Sequence, residues 1–326
     1  MQAELLDVVV PMTNPIRWKV RERQFNKFVD QMLSAGVRLT VVECQHGERP
    51  FLFGEDPRFH TAQYAWPKIR HVGVRAYTMC WNKENLINLG IPPDAKYVCW
   101  PDADIIFRDP NWAVETLHAL QHYDVVQCWS DALSLGPNGE ILALHKSFCS
   151  LWSRGDPVVL QPPYKDTWRK DGGTLEYPHP GYAWAARREA LERLGGLFEL
   201  GVSGSGDSHM ALALIGQVDR SVPTSVIKNC PSLMKHLRVW QARALTHVNK
   251  NIGFVRGAIE HDFHGAADKR RYWDRWSIFT DEHFDPDTDL KKNSWGVLEL
   301  SGNKPDLRRK IDQYFRSRDE DSNTLG

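Results

Sequence analysis

An unbroken apolar strand, a helix and a second apolar strand open this chain, and that order restricts its fold more than any other feature. Asp7 to Pro11 carries Val8-Val9-Val10 without polar alternation, as a strand covered on both faces does. Phe25, Phe28, Val29, Met32 and Leu33 recur at helical spacing across 21–35, and Gly36 is placed to stop that helix. Val37 to Glu43 reads as the next strand. A strand–helix–strand unit lays its strands side by side in parallel. The expected fold class is α/β, with a mostly parallel central sheet flanked by helices.

Further along, a loop with Gly47, Pro50, Gly54 and Pro57 leads to an amphipathic stretch over 76–89, ended by Gly90-Ile91-Pro92-Pro93. Lys96 to Trp100 is the next apolar strand. It delivers Pro101-Asp102-Ala103-Asp104 to its carboxyl end, where open α/β sheets place their ligands. A helix is expected over 114–121 and a strand over 124–129. The Gly-, Pro- and Trp-rich region 134–177 reads as loops over the site, with Trp152 and Trp168, and Trp184 nearby, as candidate stacking surfaces. Gly181 to Ala186 reads as a strand and Arg188 to Leu194 as a helix capped by Gly195-Gly196. Further helices are expected over 209–215 and, rich in basic residues, over 233–249. The chain turns polar from Asp281, and 317–326 reads as a frayed tail.

Lys plus Arg and Asp plus Glu both number 41, so no global field steers the 326-residue chain onto nucleic acid or an anionic membrane. The start, Met1-Gln2-Ala3-Glu4-Leu5-Leu6-Asp7, is acidic where a secretory leader is basic. No apolar run approaches the roughly 20 residues of a membrane span. A cytoplasmic protein without a membrane span is expected. Six cysteines are scattered with no C-x-x-C pair, which argues for buried, reduced thiols rather than zinc or disulfides.

Two carboxylates at positions i and i+2 behind a buried strand are costly to hold together unless a cation neutralises them. Asp102 and Asp104 are therefore candidate ligands of a divalent ion, Mn²⁺ or Mg²⁺, that could bridge to a diphosphate and stabilise a leaving nucleotide. A solvated pair of turn acids is the alternative.

Three blocks, in order, resemble the β-1,4-galactosyltransferase family and related metal-dependent transferases of the GT-A fold. The first is Trp81-Asn82-Lys83-Glu84-Asn85-Leu86-Ile87-Asn88-Leu89-Gly90; the second is Asp102-Ala103-Asp104; the third runs from Gly181-Tyr182 through Leu194-Gly195-Gly196 to Gly204-Ser205-Gly206-Asp207. The resemblance spans roughly residues 5 to 270. It implies a GT-A glycosyltransferase domain over 1–280, with a nucleotide-sugar-binding half (1–130) and an acceptor-binding, catalytic half (131–280), followed by an extension with a polar tail over 281–326.

Carried over residue by residue, the resemblance implies that Asn82 and Lys83 shape the donor pocket and that Asp207 is the general base of an inverting transfer. As a carboxylate at a helix start, Asp207 could equally act as an N-cap. Pro11, Thr13, Asn14 and Arg17 resemble the loop that cradles the nucleotide, and Glu43 is a further candidate contact to uracil or ribose. In His261-Asp262-Phe263-His264-Gly265, His264 is preferred over His261 as the third metal ligand. Lys269, Arg270 and Arg271 follow as diphosphate contacts, with Arg271 chosen among them. Two departures weaken any transfer of sugar or acceptor specificity: the family's acidic pair is reduced to Gly206-Asp207, and its flanking tryptophan is replaced by Val202 and Ser203.

The reading is a hexosyl- or pentosyltransferase using a UDP-sugar donor, with a glycan or a hydroxymethylated DNA base as acceptor, as in phage-type DNA-modifying enzymes. The alternatives are a sugar nucleotidyltransferase, whose glycine- and lysine-containing phosphate loop is missing from 8–14, and a non-catalytic carbohydrate-binding protein.

Overall fold

A computed structural model describes residues 2–54, 69–156, 159, 170–171, 174–175, 178–272 and 274–325. The opening unit forms as its pattern dictates. Strand β1 (Leu6–Thr13) is followed by helix α1 (Lys19–Ala35), which ends on Gly36 in the left-handed conformation at φ 73°, and by β2 (Arg38–His46) in parallel register with β1. Strand β3 (Ile69–Ala76) adds alongside β2. It was hidden from sequence reading because Arg70, His71 and Arg75 break its apolar character. The helix expected over 76–89 starts only at Lys83, as α2 (Lys83–Gly90), which leaves Trp81 and Asn82 in the irregular segment ahead of it. A Cβ on Gly90 would lie 2.4 Å from Val42 Cγ2 and 2.6 Å from Val9 Cγ1, so glycine here lets α2 lie directly on β1 and β2.

The chain continues through β4 (Tyr97–Pro101), β5 (Ile105–Phe107), α3 (Trp112–Ala119) and β6 (Val125–Gln127). The region expected as loops contains instead a hairpin, β7 (Asp131–Leu135) with β8 (Ile141–Ser147), and a short helix α4 (Phe148–Ser153) capped by Ser147. Trp168 lies outside the described residues. Short strands β9 (Lys170–Asp171) and β10 (Thr174–Leu175) pair with each other, and β11 (Pro178–His179) pairs with β8. Then come β12 (Ala183–Arg187), α5 (Arg188–Leu194), α6 (Gly206–Leu214), α7 (Thr224–Asn229), α8 (Pro231–His247), β13 (Ile252–Phe254), β14 (Ala258–His261), α9 (Trp276–Asp281), α10 (Pro286–Asp289), β15 (Leu290–Lys292), β16 (Leu298–Leu300) and α11 (Pro305–Ser317).

The central sheet has seven strands in the order β13-β6-β12-β4-β1-β2-β3, and every pairing is parallel except those of β12. It is a mostly parallel sheet flanked by helices, as expected. Alternate residues of the strands feed two cores: Val9, Val42, Val98 and Trp100 face one, and Val8, Val10, Val41 and Cys99 the other. Helices α1 and α3 cover the second face, and α2, α5, α6 and α8 the first. Trp184 sits in the first core with its Nε1–H donating to the Pro180 carbonyl at 2.7 Å, so it is no stacking platform. The six cysteines are buried thiols.

Residues 281–325 pack against this body. Phe284, Leu298, Ile311 and Phe315 belong to the first core. The frayed tail does not begin at 317: Arg318 and Glu320 are buried, and the Asp321 carboxylate accepts from the Lys19 and Val20 amides at 3.0 and 2.8 Å, capping α1. The sequence shows only polar residues here because their partners lie about 300 positions away. Among the described residues, no helix is long and apolar enough to cross a membrane.

Candidate active site

Strand β4 ends at Pro101, and the Asp102 amide donates to the Tyr182 carbonyl at 2.6 Å, which ties the acidic turn to the segment entering β12. A second sheet, ordered β11-β8-β7-β14-β5, brings His261 to this turn. Its β5 leaves directly from the acidic turn and pairs antiparallel with β14, setting His261 opposite Ile105. The Asp262 amide donates to the Asp104 carbonyl at 2.8 Å. This register, not any spacing in the sequence, brings His261 and Asp104 together across about 157 residues of chain.

Three ligand atoms converge there. Asp104 Oδ2 lies 3.0 Å from His264 Nε2 and 3.7 Å from His261 Nε2, and the two imidazole nitrogens are 3.2 Å apart. Separations near 3 Å are what ligands about 2.1 Å from one ion would span. Asp104 Oδ1 is buried without a hydrogen-bond partner, a donor atom that a cation would satisfy. These residues fit a divalent metal. Burial would raise the Asp104 carboxyl, but His261 and His264 hold it well below its usual range, so it is an anion. Burial lowers His264 to about 4, with Arg270 adding to the shift and Asp104 opposing it, so its imidazole is neutral as a ligand must be. Arg270 Nη2 lies 3.0 Å from His264 Nε2 and supplies positive charge beside the triad.

Asp102 faces the other way. Its Oδ1 lies 2.6 Å from Lys83 Nζ, and the same ammonium sits 3.2 Å from both oxygens of Asp207. Lys83 therefore clamps two carboxylates from separate parts of the chain. Burial would lower its pKa, but Asp102 and Asp207 raise it well above the ordinary lysine value. Burial and the neighbouring acids Asp207 and Asp104 push Asp102 up to about 6 against the pull of Lys83. Asp207 is the second residue of α6 and not its N-cap, a place taken by Ser205 at φ 73°. A Cβ on Gly206 would meet Glu84 Oε1 at 2.0 Å, so any larger residue there would displace the buried Glu84 carboxyl.

Glu84, 3% exposed, lies beneath this clamp, and burial pushes its carboxyl from 4.5 up to about 8 despite Lys83. Between those values the folded chain holds a proton that the unfolded chain has released, so this group's contribution is fully present below pH 4.5 and lost as pH rises through about 8. Glu84→Gln is expected to flatten that loss and to raise stability at pH 8 by up to about a few kcal/mol. Urea midpoints at pH 5 and pH 8 check this; an unchanged slope in the variant would place the loss on another group.

The cleft over these groups encloses about 120 Å³ and is lined by Pro11 and Thr13 of β1, by Asn82 and Lys83, by Asp102, Asp104 and His264, and by Phe315, Arg318 and Glu320. Of the residues expected at the donor, Asn14, Arg17, Glu43 and Arg271 are not among those lining it. Asn14 closes its own turn through bonds to Trp18 O and N at 2.8 and 2.9 Å. Arg17, at φ 68°, is exposed. Glu43 is fully buried, with its carboxylate taken up by the Leu52 and Phe53 amides, Gln45 and His71. Arg271 is exposed, while Arg270 turns toward His264.

Sequence reasoning also passed over a ring cluster beside Asp207. His179 stacks on Tyr182 at 4.1 Å and 5°, His145 lies 5.0 Å from His179, and Tyr182 lies 4.9 Å from His261. Tyr182 is held at φ 78°, a conformation costly for a bulky residue and one that clusters at functional sites. Burial lowers His145 to about 4, so it is neutral. The only sequence signal was His-Pro-Gly-Tyr at 179–182, and nothing in it pointed to His145.

No protein-family model matches the chain, and no curated protein matches it. Among solved structures it is similar to the catalytic domain of Drosophila β1,4-galactosyltransferase 7 in complex with xylobiose, at 15% identity, covering 67% of this chain and 62% of that one, with a TM-score of 0.32. It thus spans less than two thirds of that structure. It is also similar to a mannosyltransferase from Pyrobaculum calidifontis in complex with GDP-Man and Mn²⁺ (12% identity, 96% and 72% covered, TM-score 0.42). A third is 4-diphosphocytidyl-2C-methyl-D-erythritol synthase from Anaerococcus prevotii (10% identity, 78% and 90% covered, TM-score 0.34). These neighbours are nucleotide-sugar transferases and a nucleotidyltransferase. At such scores the site is to be read from its own residues.

Proposed function

We propose that this protein is a metal-dependent glycosyltransferase that moves a sugar from a UDP-sugar to an acceptor hydroxyl with inversion. The observation that carries this reading is an Asp104–His261–His264 ligand set next to Asp102, whose partner Lys83 also holds a separate carboxylate, Asp207. A metal bound to the triad would neutralise charge on a departing diphosphate. Pro11 and Thr13 line the nucleotide side of the cleft, and Asn82 presents a buried, unpartnered Oδ1 that can accept from a donor hydroxyl. Asp207 takes the proton from the acceptor hydroxyl while that oxygen attacks the anomeric carbon from the face opposite the diphosphate. Lys83, 3.2 Å from both of its oxygens, holds Asp207 in place for this task. Asp102 acts on the donor side through Lys83 rather than as a direct ligand.

Two imidazoles in the ligand set favour Mn²⁺ over the harder Mg²⁺. The neutral rings of His145, His179 and Tyr182 form a wall beside Asp207 suited to the faces of an acceptor ring, whether the sugar of a glycan or a hydroxymethylated base. The test is calorimetric titration with a panel of UDP- and GDP-sugars in Mn²⁺, Mg²⁺ and EDTA, followed by transfer assays on glycan and hydroxymethylated-DNA acceptors. A UDP-sugar is expected to bind tightest with Mn²⁺. Equal affinity in EDTA would sink the metal role, and no binding of any sugar nucleotide would sink the reading itself.

A further inference from the structure

The residues after α11 do more than end the fold. Phe315, Arg318 and Glu320 form one wall of the cleft, facing the turn that carries Asp102 and Asp104. The segment is fastened at three points. Asp321 caps α1. Arg21, on that helix, donates from Nε and Nη2 to the Glu320 carboxylate at 2.5 and 2.8 Å. The backbone at 319–320 packs on Gly265, where a Cβ would lie 2.8 Å from the Asp319 carbonyl, so the segment also braces the loop carrying His264.

The charges on this wall do not balance. One buried carboxylate, Glu320, serves two guanidinium groups, because Arg318 Nε also donates to its Oε1 at 2.6 Å. Arg318 Nη1 donates to Tyr314 Oη at 3.0 Å, and the guanidinium lies 4.7 Å above the Trp81 ring. Its Nη2 makes no hydrogen bond among the described residues. Arg318 is only 4% exposed, so this surplus cation is desolvated, pre-oriented and has donor capacity to spare. A planar guanidinium in that state matches the paired oxygens of a phosphate group. Arg270 adds a second cation beside His264.

We propose that segment 315–321 is the anion-recognising wall of the donor site, with Arg318 binding the diphosphate opposite Asp104, His261 and His264. The assignment rests on the sugar-nucleotide reading above. Glu320 is then the internal counter-charge shared by Arg318 and Arg21, competing with the anion for Arg318, and is not itself a contact to the anion.

The test is titration of the full chain with inorganic pyrophosphate in saturating Mn²⁺, with Mn²⁺ binding followed separately by electron paramagnetic resonance. Arg318→Gln is expected to weaken pyrophosphate by about 10- to 100-fold, as for loss of a charge-assisted hydrogen bond, and to leave Mn²⁺ affinity within about twofold. Arg318→Lys, which keeps the charge and loses the fork, is expected to fall between that variant and the parent, and it carries the test if Arg318→Gln does not fold. Glu320→Gln removes the competing carboxylate and is expected to bind pyrophosphate at least as tightly as the parent. Pyrophosphate affinity unchanged in both Arg318 variants, a parallel loss in Glu320→Gln, or a parent that does not bind pyrophosphate would each overturn the proposal. Arg318-dependent pyrophosphate binding without any sugar-nucleotide binding would instead overturn the function and leave the anion wall standing.

Discussion

Asp207→Asn is expected to lower sugar transfer by at least about 100-fold, the low end of what a general base contributes, while donor affinity stays within a few-fold of the parent. The substitution keeps the side chain's shape at the start of α6 and removes only the proton-accepting charge. Lys83 would retain its 2.6 Å contact with Asp102, so the donor side of the cleft should survive. Single-turnover transfer together with calorimetric donor binding separates the two effects. A variant that lost donor affinity but kept its turnover would move Asp207 from catalysis to binding. The stereochemistry of the product is an independent check, because displacement assisted by one base inverts the anomeric carbon, and retention there would refute the mechanism.

Asp104→Asn is the second large effect. Asp104 supplies the only carboxylate of the triad and carries the unpartnered Oδ1, so Mn²⁺ affinity is expected to fall by at least about 100-fold, with metal-dependent donor binding lost alongside it. His261→Ala and His264→Ala should each weaken Mn²⁺ as well, which is the direct comparison between the two histidines. Resonance titration with Mn²⁺ reads all three variants. If His261→Ala retained the parent's affinity while His264→Ala lost it, the set would shrink to Asp104 and His264, and Asp102 would again be needed as a ligand.

The sequence carried the fold far because the strands that matter are either wholly apolar, as Val8-Val9-Val10 is, or end in marked residues, as Trp100-Pro101-Asp102 does. The stop at Gly36 and the cap at Gly195 were equally visible, since both need φ above zero. What stayed hidden depends on long-range pairing. His261 could not be ranked against His264 because its place beside Asp104 comes from the β5–β14 register. Glu43 looked free at a strand end, and only the fold of 51–53 over it showed its carboxylate engaged. Lys83 was legible as a site residue, but its simultaneous hold on Asp102 and Asp207 was not. Arg318 and Glu320 gave no apolar period to read, because Glu320 is buried against Arg21 at the other end of the chain and Arg318 is buried against Glu320 in turn.

The single reversed strand has an evolutionary consequence. In an all-parallel sheet, only segments that leave strands reach the carboxyl edge. Reversing β12 makes the segment that enters it, through His179 and Tyr182, arrive at the same edge as the turn leaving β4. The two sides of the cleft are thereby encoded by chain stretches with different constraints. The Asp102–Asp104 side is set by β4, β5 and β14, whereas the other is set by the stretch ahead of β12, and the two are joined where the Asp102 amide donates to the Tyr182 carbonyl. The stretch 179–182 and the Asp102 turn are therefore expected to change together in evolution rather than one at a time.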